Sequence, residues 1–152
     1  MVIIQDADLE YNPEDYKFLI DPILKKETQV VYGSRVLGKK RYSNKSFVSL
    51  FRIFANHLLT MLSNLINNQQ LTDAHTCYKL FETKVIKQIE LHENGFAFCP
   101  EITTKIGNLN IKIKEIPISY EGRSVNEGKK INFIDGLIAI KAIFQYRFLK
   151  KN

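Results

Sequence analysis

The opening segment, Val-Ile-Ile-Gln-Asp-Ala-Asp-Leu-Glu from Val2 to Glu10, limits the possible folds more than any other stretch. Its apolar start reads as a buried strand and runs straight into two aspartates one residue apart. Strands buried on both faces belong to α/β sheets, and open α/β sheets hold their ligands beyond the carboxyl ends of the strands. Asp6 and Asp8 therefore stand where a ligand would be held. Carboxylates at i and i+2 can share a hard divalent cation, and Mg²⁺ commonly takes one or two carboxylates and completes its shell with substrate phosphates and water. The pattern predicts a metal site for a diphosphate ligand. Asp-X-Asp also arises by chance, so the strand before it and the turn after it carry the weight.

That turn is a helix start. Asn12 is placed as N-cap, Pro13 at the first helical position and Glu14 and Asp15 in the first turn, with the helix running to about Lys26. Gln29 to Tyr32 is a second short strand, closing a β-α-β unit with the first. Gly33-Ser34-Arg35 follows, and parallel strands would bring Arg35 near the aspartates. Gly38 to Lys45 carries Lys39, Lys40, Arg41 and Lys45 without apolar periodicity and reads as a solvated or mobile basic loop.

Ser46 to Asn68 is the longest periodic segment, with Phe47, Leu50, Phe51, Phe54, Leu58, Met61, Leu62 and Leu65 on one helical face. Arg52 and His57 interrupt it before it reaches the roughly 18 to 20 uncharged residues of a spanning helix. Two readings stay open: a core helix, which composition favours, or a helix lying in a membrane interface near lipid headgroups.

Leu71 to Phe81 is a polar turn entering a strand. Asp73 within it is a candidate general base or acceptor-orienting carboxylate, and equally a cap or a partner of Lys79. His75 and Cys77 lack the further ligands zinc needs. Thr83 to Glu90 reads as a short helix, Phe96 to Phe98 as extended, and Pro100 to Ile106 as a helix with Glu101 as its starting acid. Ile111 to Ser119 is a strand that Pro117 assigns to an edge or a strand end. In the Gly- and cation-rich loop that follows, Arg123, Lys129 and Lys130 are candidate phosphate ligands. Asn132 to Leu149 is the last helix.

With 152 residues, 45% hydrophobic and 25% charged, the chain is sized for one globular domain. A net charge of +6 favours an anionic partner. Nucleic acid is not expected, because no zinc-finger, RNP-type or helix-turn-helix pattern is present. Two cysteines without patterning fit a reducing compartment, and no secretory signal opens the sequence, which predicts a cytoplasmic location.

In order along the chain stand Gln-Asp-Ala-Asp-Leu-Glu-Tyr-Asn-Pro-Glu-Asp at 5 to 15, Tyr-Gly-Ser-Arg at 32 to 35, Leu-Thr-Asp-Ala-His-Thr-Cys-Tyr-Lys-Leu-Phe at 71 to 81, Glu-Ile-Pro-Ile-Ser-Tyr-Glu-Gly-Arg at 115 to 123 and Glu-Gly-Lys-Lys-Ile at 127 to 131. Together they resemble the family 2 glycosyltransferases, in the dolichol-phosphate mannose synthase-like branch. The resemblance implies a GT-A, Rossmann-like α/β fold with a mixed sheet flanked by helices. It further implies a nucleotide-diphosphate sugar donor, Mg²⁺ or Mn²⁺ held by Asp6 and Asp8, and inversion at the sugar carbon. Arg35, Arg123, Lys129 and Lys130 are then expected near donor or acceptor phosphates, the acceptor being a polyprenyl phosphate or a hydroxyl. It also strengthens the membrane-interface reading, at the cytoplasmic face.

Three departures from the family pattern stand out. Glu10 replaces a frequent Gln, Cys77 a small residue, and the Ile-Ile-Pro-X-Tyr-Asn-Glu strand with its acidic nucleotide-binding loop is not in the sequence. The fold expected is therefore an incomplete GT-A domain beginning at the metal-binding strand, with weak or no turnover by the 152 residues alone. The alternative is a non-catalytic basic module that binds anionic lipid or another polyanion.

Overall fold

Four strands form one mixed sheet: β1 (Val2–Ile4), β2 (Val30–Ser34), β3 (Lys79–Phe81) and β4 (Ile113–Pro117), in the order β1-β3-β2-β4. The computed structural model describes residues 1–7, 9–37, 47–121 and 133–149. Asp8, Lys39, Lys40, Arg41, Lys45, Arg123, Lys129 and Lys130 lie outside the described residues. Among the described residues five helices flank the sheet: α1 (Tyr16–Leu24), α2 (Phe47–Asn67), α3 (Thr83–Ile86), α4 (Phe98–Asn108) and α5 (Phe133–Phe144), the last continuing into a π-helical turn at Gln145–Leu149.

The helix start after the aspartates forms as the sequence predicts. Asn12 Oδ1 accepts from the Glu14 amide at 3.0 Å and a 3₁₀ turn at Pro13–Asp15 leads into α1. The β-α-β expectation needs one correction. β1 and β2 are both antiparallel to β3, so they run in the same direction, but β3 lies between them. β4 pairs with β2 in parallel at the outer edge, where Pro117 ends it without breaking an inner ladder.

Period-two alternation sends each strand's residues into two cores. Val30, Tyr32 and Phe81 face Ile102 and Ile106 of α4, while Val31, Tyr78 and Leu80 face Leu19 and Ile23 of α1. Gly33 permits the close approach of the segment after β4, since a Cβ there would lie 2.8 Å from Ile118 Cδ1. Gly107 does the same where α4 crosses α2, its would-be Cβ 3.0 Å from Asn67 Cβ.

The α2 stripe departs from the core reading. Among the residues of α2 whose side chains are described, Thr60, Ser63 and Asn67 are buried, whereas Phe54, Leu58, Met61 and Leu65 are exposed. The polar side points inward because it has specific partners there. Asn67 donates to Ser63 and Thr104, Asn64 exchanges hydrogen bonds with the Leu71 backbone, and Thr60 accepts from the Ala74 amide.

A second correction concerns Phe96 to Phe98. The stretch is a 3₁₀ turn at Gly95–Ala97 running directly into α4, not an extended segment. Glu101 does more than start that helix. Fully buried, it accepts the backbone amides of His92 and Glu93 and pairs with Lys105 at 3.0 Å, tying the incoming loop to α4.

Candidate active site

The register of the strands gathers the candidate residues at one edge. Ile4 and Tyr32 both lie opposite Lys79, so Asp6, Arg35 and the turn before β3 emerge together at the carboxyl ends of β1 and β2. The ladder continues past β3, with the Gly33 amide donating to the Tyr78 carbonyl at 2.8 Å. Asp6 and the end of β2 are thus about 10 Å apart, two interstrand spacings across β3.

Asp6 is exposed and reaches the Cys77 thiol. Burial, then the hydrogen bond to Asp6, pushes that thiol up to about 12, so Cys77 is neutral and unreactive at physiological pH. Asp6 enters no ion pair among the described residues. A solvent-facing carboxylate of this kind fits a hard divalent ion such as Mg²⁺ or Mn²⁺ as one oxygen ligand. Among the described residues no three His, Cys, Asp or Glu side chains converge as a metal cluster.

Arg35 and Asp73 form the centre of the edge. Arg35 Nε donates to Asp73 Oδ2 at 2.6 Å and Nη2 to Oδ1 at 2.8 Å, a bidentate fork. The Arg35 amide adds a bond of 3.2 Å and Asn56 of α2 one of 3.5 Å. Burial works to raise the Asp73 carboxyl, and the Arg35 charge and hydrogen bonds overcome it, holding the group below its usual range. Asp73 thus pairs with Arg35, not with Lys79. Glu115 shapes the turn beneath it, accepting the Thr72 amide and hydroxyl and the Asp73 amide. Burial raises the Glu115 carboxyl above its ordinary value against the pull of those bonds.

Three tyrosines line the same edge. The Tyr120 ring lies 5.2 Å from the Arg35 guanidinium carbon, and its hydroxyl donates to Glu10 Oε2 at 2.6 Å. Tyr11 bridges to Tyr120 through the backbone, receives the Cys77 amide on its hydroxyl at 3.0 Å and packs at a tilt against Tyr78, ring centres 4.7 Å apart. His75 is held neutral, pushed down to about 4 by burial and by the Lys79 charge. It is therefore a weak base, and no zinc-like set surrounds it among the described residues.

The edge therefore joins Asp6, Arg35 and Asp73 from three separate sequence segments, while Asp8, Arg123, Lys129 and Lys130 fall outside the described residues. Glu10, Tyr11, Asn56, Glu115 and Tyr120 join them. Glu115 and Tyr120 stand in the Glu-Ile-Pro-Ile-Ser-Tyr segment, yet nothing in their spacing signals that one supports Asp73 and the other covers Arg35.

The fold and edge define a mixed α/β protein whose polar, charge-paired chemistry sits at the carboxyl ends of β1 and β2 and the amino end of β3. Residues 1–90 match the model of the family described as "Glycosyl transferase family 2", and the chain belongs to that family. It is 27% identical over 135 residues to the "Low-salt glycan biosynthesis hexosyltransferase Agl6" of Haloferax volcanii, covering 89% of this chain and 32% of that protein. It is 24% identical over 149 residues to the "UDP-N-acetylglucosamine--dolichyl-phosphate N-acetylglucosaminyltransferase" of Methanococcus voltae, covering 95% of this chain and 56% of that protein. An uncharacterized Methanocaldococcus jannaschii protein is 24% identical over 151 residues, covering 97% of this chain and 61% of its own length. The chain thus spans from about a third to three-fifths of the curated relatives it matches.

Proposed function

We propose that the chain forms the metal- and phosphate-binding part of an inverting glycosyltransferase that moves a sugar from a nucleotide-diphosphate sugar to a polyprenyl phosphate. The observation that carries this reading is the Arg35–Asp73 fork at the edge where Asp6 emerges. Asp73 already accepts from Arg35 three times, and from Asn56. Taking a proton from an acceptor hydroxyl would disrupt that set. An acceptor whose oxygen is already anionic needs no base, which favours a phosphate over a hydroxyl. Asp73 then acts by orienting Arg35, and a guanidinium has five donors, of which the side-chain fork takes two. The Methanococcus voltae relative, named for a dolichyl-phosphate acceptor, supports the same choice.

Asp6 and Asp8 would hold Mg²⁺ or Mn²⁺. Such an ion neutralises the charge that builds on a leaving diphosphate. Arg35, Arg123, Lys129 and Lys130 are the residues that bind donor or acceptor phosphates in this reading.

Peripheral contact with an anionic bilayer belongs to the same proposal. The outward face of α2 presents Phe54, Leu58, Met61 and Leu65, and α5 presents Ile134, Leu137 and Ile138. Lys39, Lys40, Arg41 and Lys45 precede α2 in sequence, and Lys150 and Lys151 follow the last helical turn. Apolar faces flanked by cations suit anionic headgroups. No helix among the described residues is long and apolar enough to cross a membrane.

The test is transfer of radiolabelled sugar from UDP- and GDP-sugars to a polyprenyl phosphate in Mn²⁺, by a protein containing this chain. Transfer that stops on chelation and in Asp6→Asn supports the proposal. Transfer indifferent to both, or polyanion binding without transfer, favours the non-catalytic basic module.

A further inference from the structure

Lys79 is 0% exposed, one of the few fully buried charges of the molecule. Its ammonium donates to the Thr76 carbonyl and to Cys99 Sγ, the latter at 3.3 Å, and lies 4.7 Å from the centre of the Tyr32 ring. None of the three partners is a carboxylate, and among the described residues no carboxylate lies within ion-pair distance. A buried cation without an anion is expensive, and an apolar side chain of similar volume would avoid the cost. Lys105, the other buried lysine among the described residues, shows the contrast, since it pairs with Glu101 at 3.0 Å.

The place of this charge is informative. The Lys79 backbone lies opposite Ile4 of β1 and Tyr32 of β2, at the level from which Asp6 and Arg35 emerge on either side. Thr76, whose carbonyl it holds, lies between Asp73 and Cys77 in sequence. From this geometry we infer that Lys79 is a positioning residue for the candidate site. Its buried charge raises the positive potential beneath the sheet edge, strengthening the hold on a metal-bound diphosphate that it never touches. The inference rests on the phosphate-binding reading above. The influence of the Lys79 charge on His75 and Asp73 supports its reach across this edge. A fixed charge in a poorly screened interior acts over several ångströms without reorganising, as preorganised electrostatics requires.

The test compares Lys79→Met, Lys79→Gln and Lys79→Arg in the full chain, with Mg²⁺-pyrophosphate as probe. Gln keeps a donor for Thr76 without charge, and Arg keeps the charge. Calorimetric titration is expected to show affinity falling roughly tenfold in the Met and Gln variants and staying within about twofold in Arg, the scale of one charge acting on an anion through an effective dielectric near 20. An independent readout is the His75 imidazole, followed by NMR. It should titrate at higher pH in the two neutral variants and near the wild-type position in Arg. Wild-type affinity in Lys79→Gln, or an unmoved His75, overturns the inference. So does failure of both neutral variants to fold while Lys79→Arg folds, which would make the residue a structural pin. A wild-type chain that does not bind Mg²⁺-pyrophosphate is a different result, contradicting the phosphate reading itself and this role with it.

Discussion

The Tyr120 hydroxyl donates to Glu10 Oε2 at 2.6 Å, tying the turn that follows Asp6 to the end of the segment after β4. The Glu121 amide doubles the tie by donating to the Glu10 carbonyl at 3.0 Å. Tyr120→Phe removes only the hydroxyl and keeps the ring beside Arg35. It should cost about 1.5 kcal/mol, the scale of a hydrogen bond to a charged group. Urea denaturation checks the value, and an unchanged midpoint would show that the hydroxyl contributes little.

Asp73→Asn should be far more damaging. The Asp73 side chain is 1% exposed and that of Arg35 21%, so neutralising the carboxylate leaves a largely desolvated guanidinium without its counter-charge. A loss of about 3 kcal/mol is expected. Arg35→Lys should also weaken the pair, since an ammonium cannot reproduce the fork. A double-mutant cycle over the two positions should show strong coupling, and additive effects would contradict the pairing.

Two carboxyls of this edge give opposite pH dependence. The folded-state value of Asp73 is depressed, so its stabilisation is complete above the ordinary aspartate value of about 3.9 and disappears as pH falls through the folded value. The folded-state value of Glu115 is raised, so its contribution is complete below about 4.3 and is lost as pH rises through the folded value. The stability advantage of wild type over Glu115→Gln should therefore shrink as pH rises above the ordinary glutamate value of about 4.3, whereas its advantage over Asp73→Asn should shrink as pH falls below the ordinary aspartate value of about 3.9. Urea midpoints measured on both sides of these values test both signs.

The outward face of α2 predicts lipid binding separable from folding. Leu65 is 83% exposed and Leu58 49%, so Leu58→Glu with Leu65→Glu should change stability by no more than about 0.5 kcal/mol per site. Flotation with phosphatidylserine vesicles should fall severalfold in the double variant. Equal flotation would contradict a membrane role for this face.

What the sequence disclosed and what it hid follow from the range of the interactions. The Asn12 cap and Pro13 lie within the first turn they start, and α2 ends within a residue of its periodic pattern because twenty-one residues of spacing define it. The strand order was not legible, because β3 enters between β1 and β2 through pairings that span much of the chain. Nor was the inward polar side of α2, whose partners Leu71, Ala74 and Thr104 lie on other segments. Asp6 could be chosen from its strand, yet Arg35 and Asp73 are 38 residues apart and no spacing rule joins them. Glu101 shows the same gap. Its position beside Pro100 suggests a helix-start acid, while its partners include the amides of His92 and Glu93 before the helix.

In the proposed function, Asp6 helps to hold a divalent ion for a diphosphate. Electron paramagnetic resonance of Mn²⁺ titrated with the chain, in the presence and absence of UDP or GDP, measures it directly. Saturable Mn²⁺ binding is expected, tightening with the nucleotide and weakening at least about tenfold in Asp6→Asn, the scale of losing one metal-held carboxylate. Equal binding of Mn²⁺ and nucleotide by wild type and Asp6→Asn would contradict it.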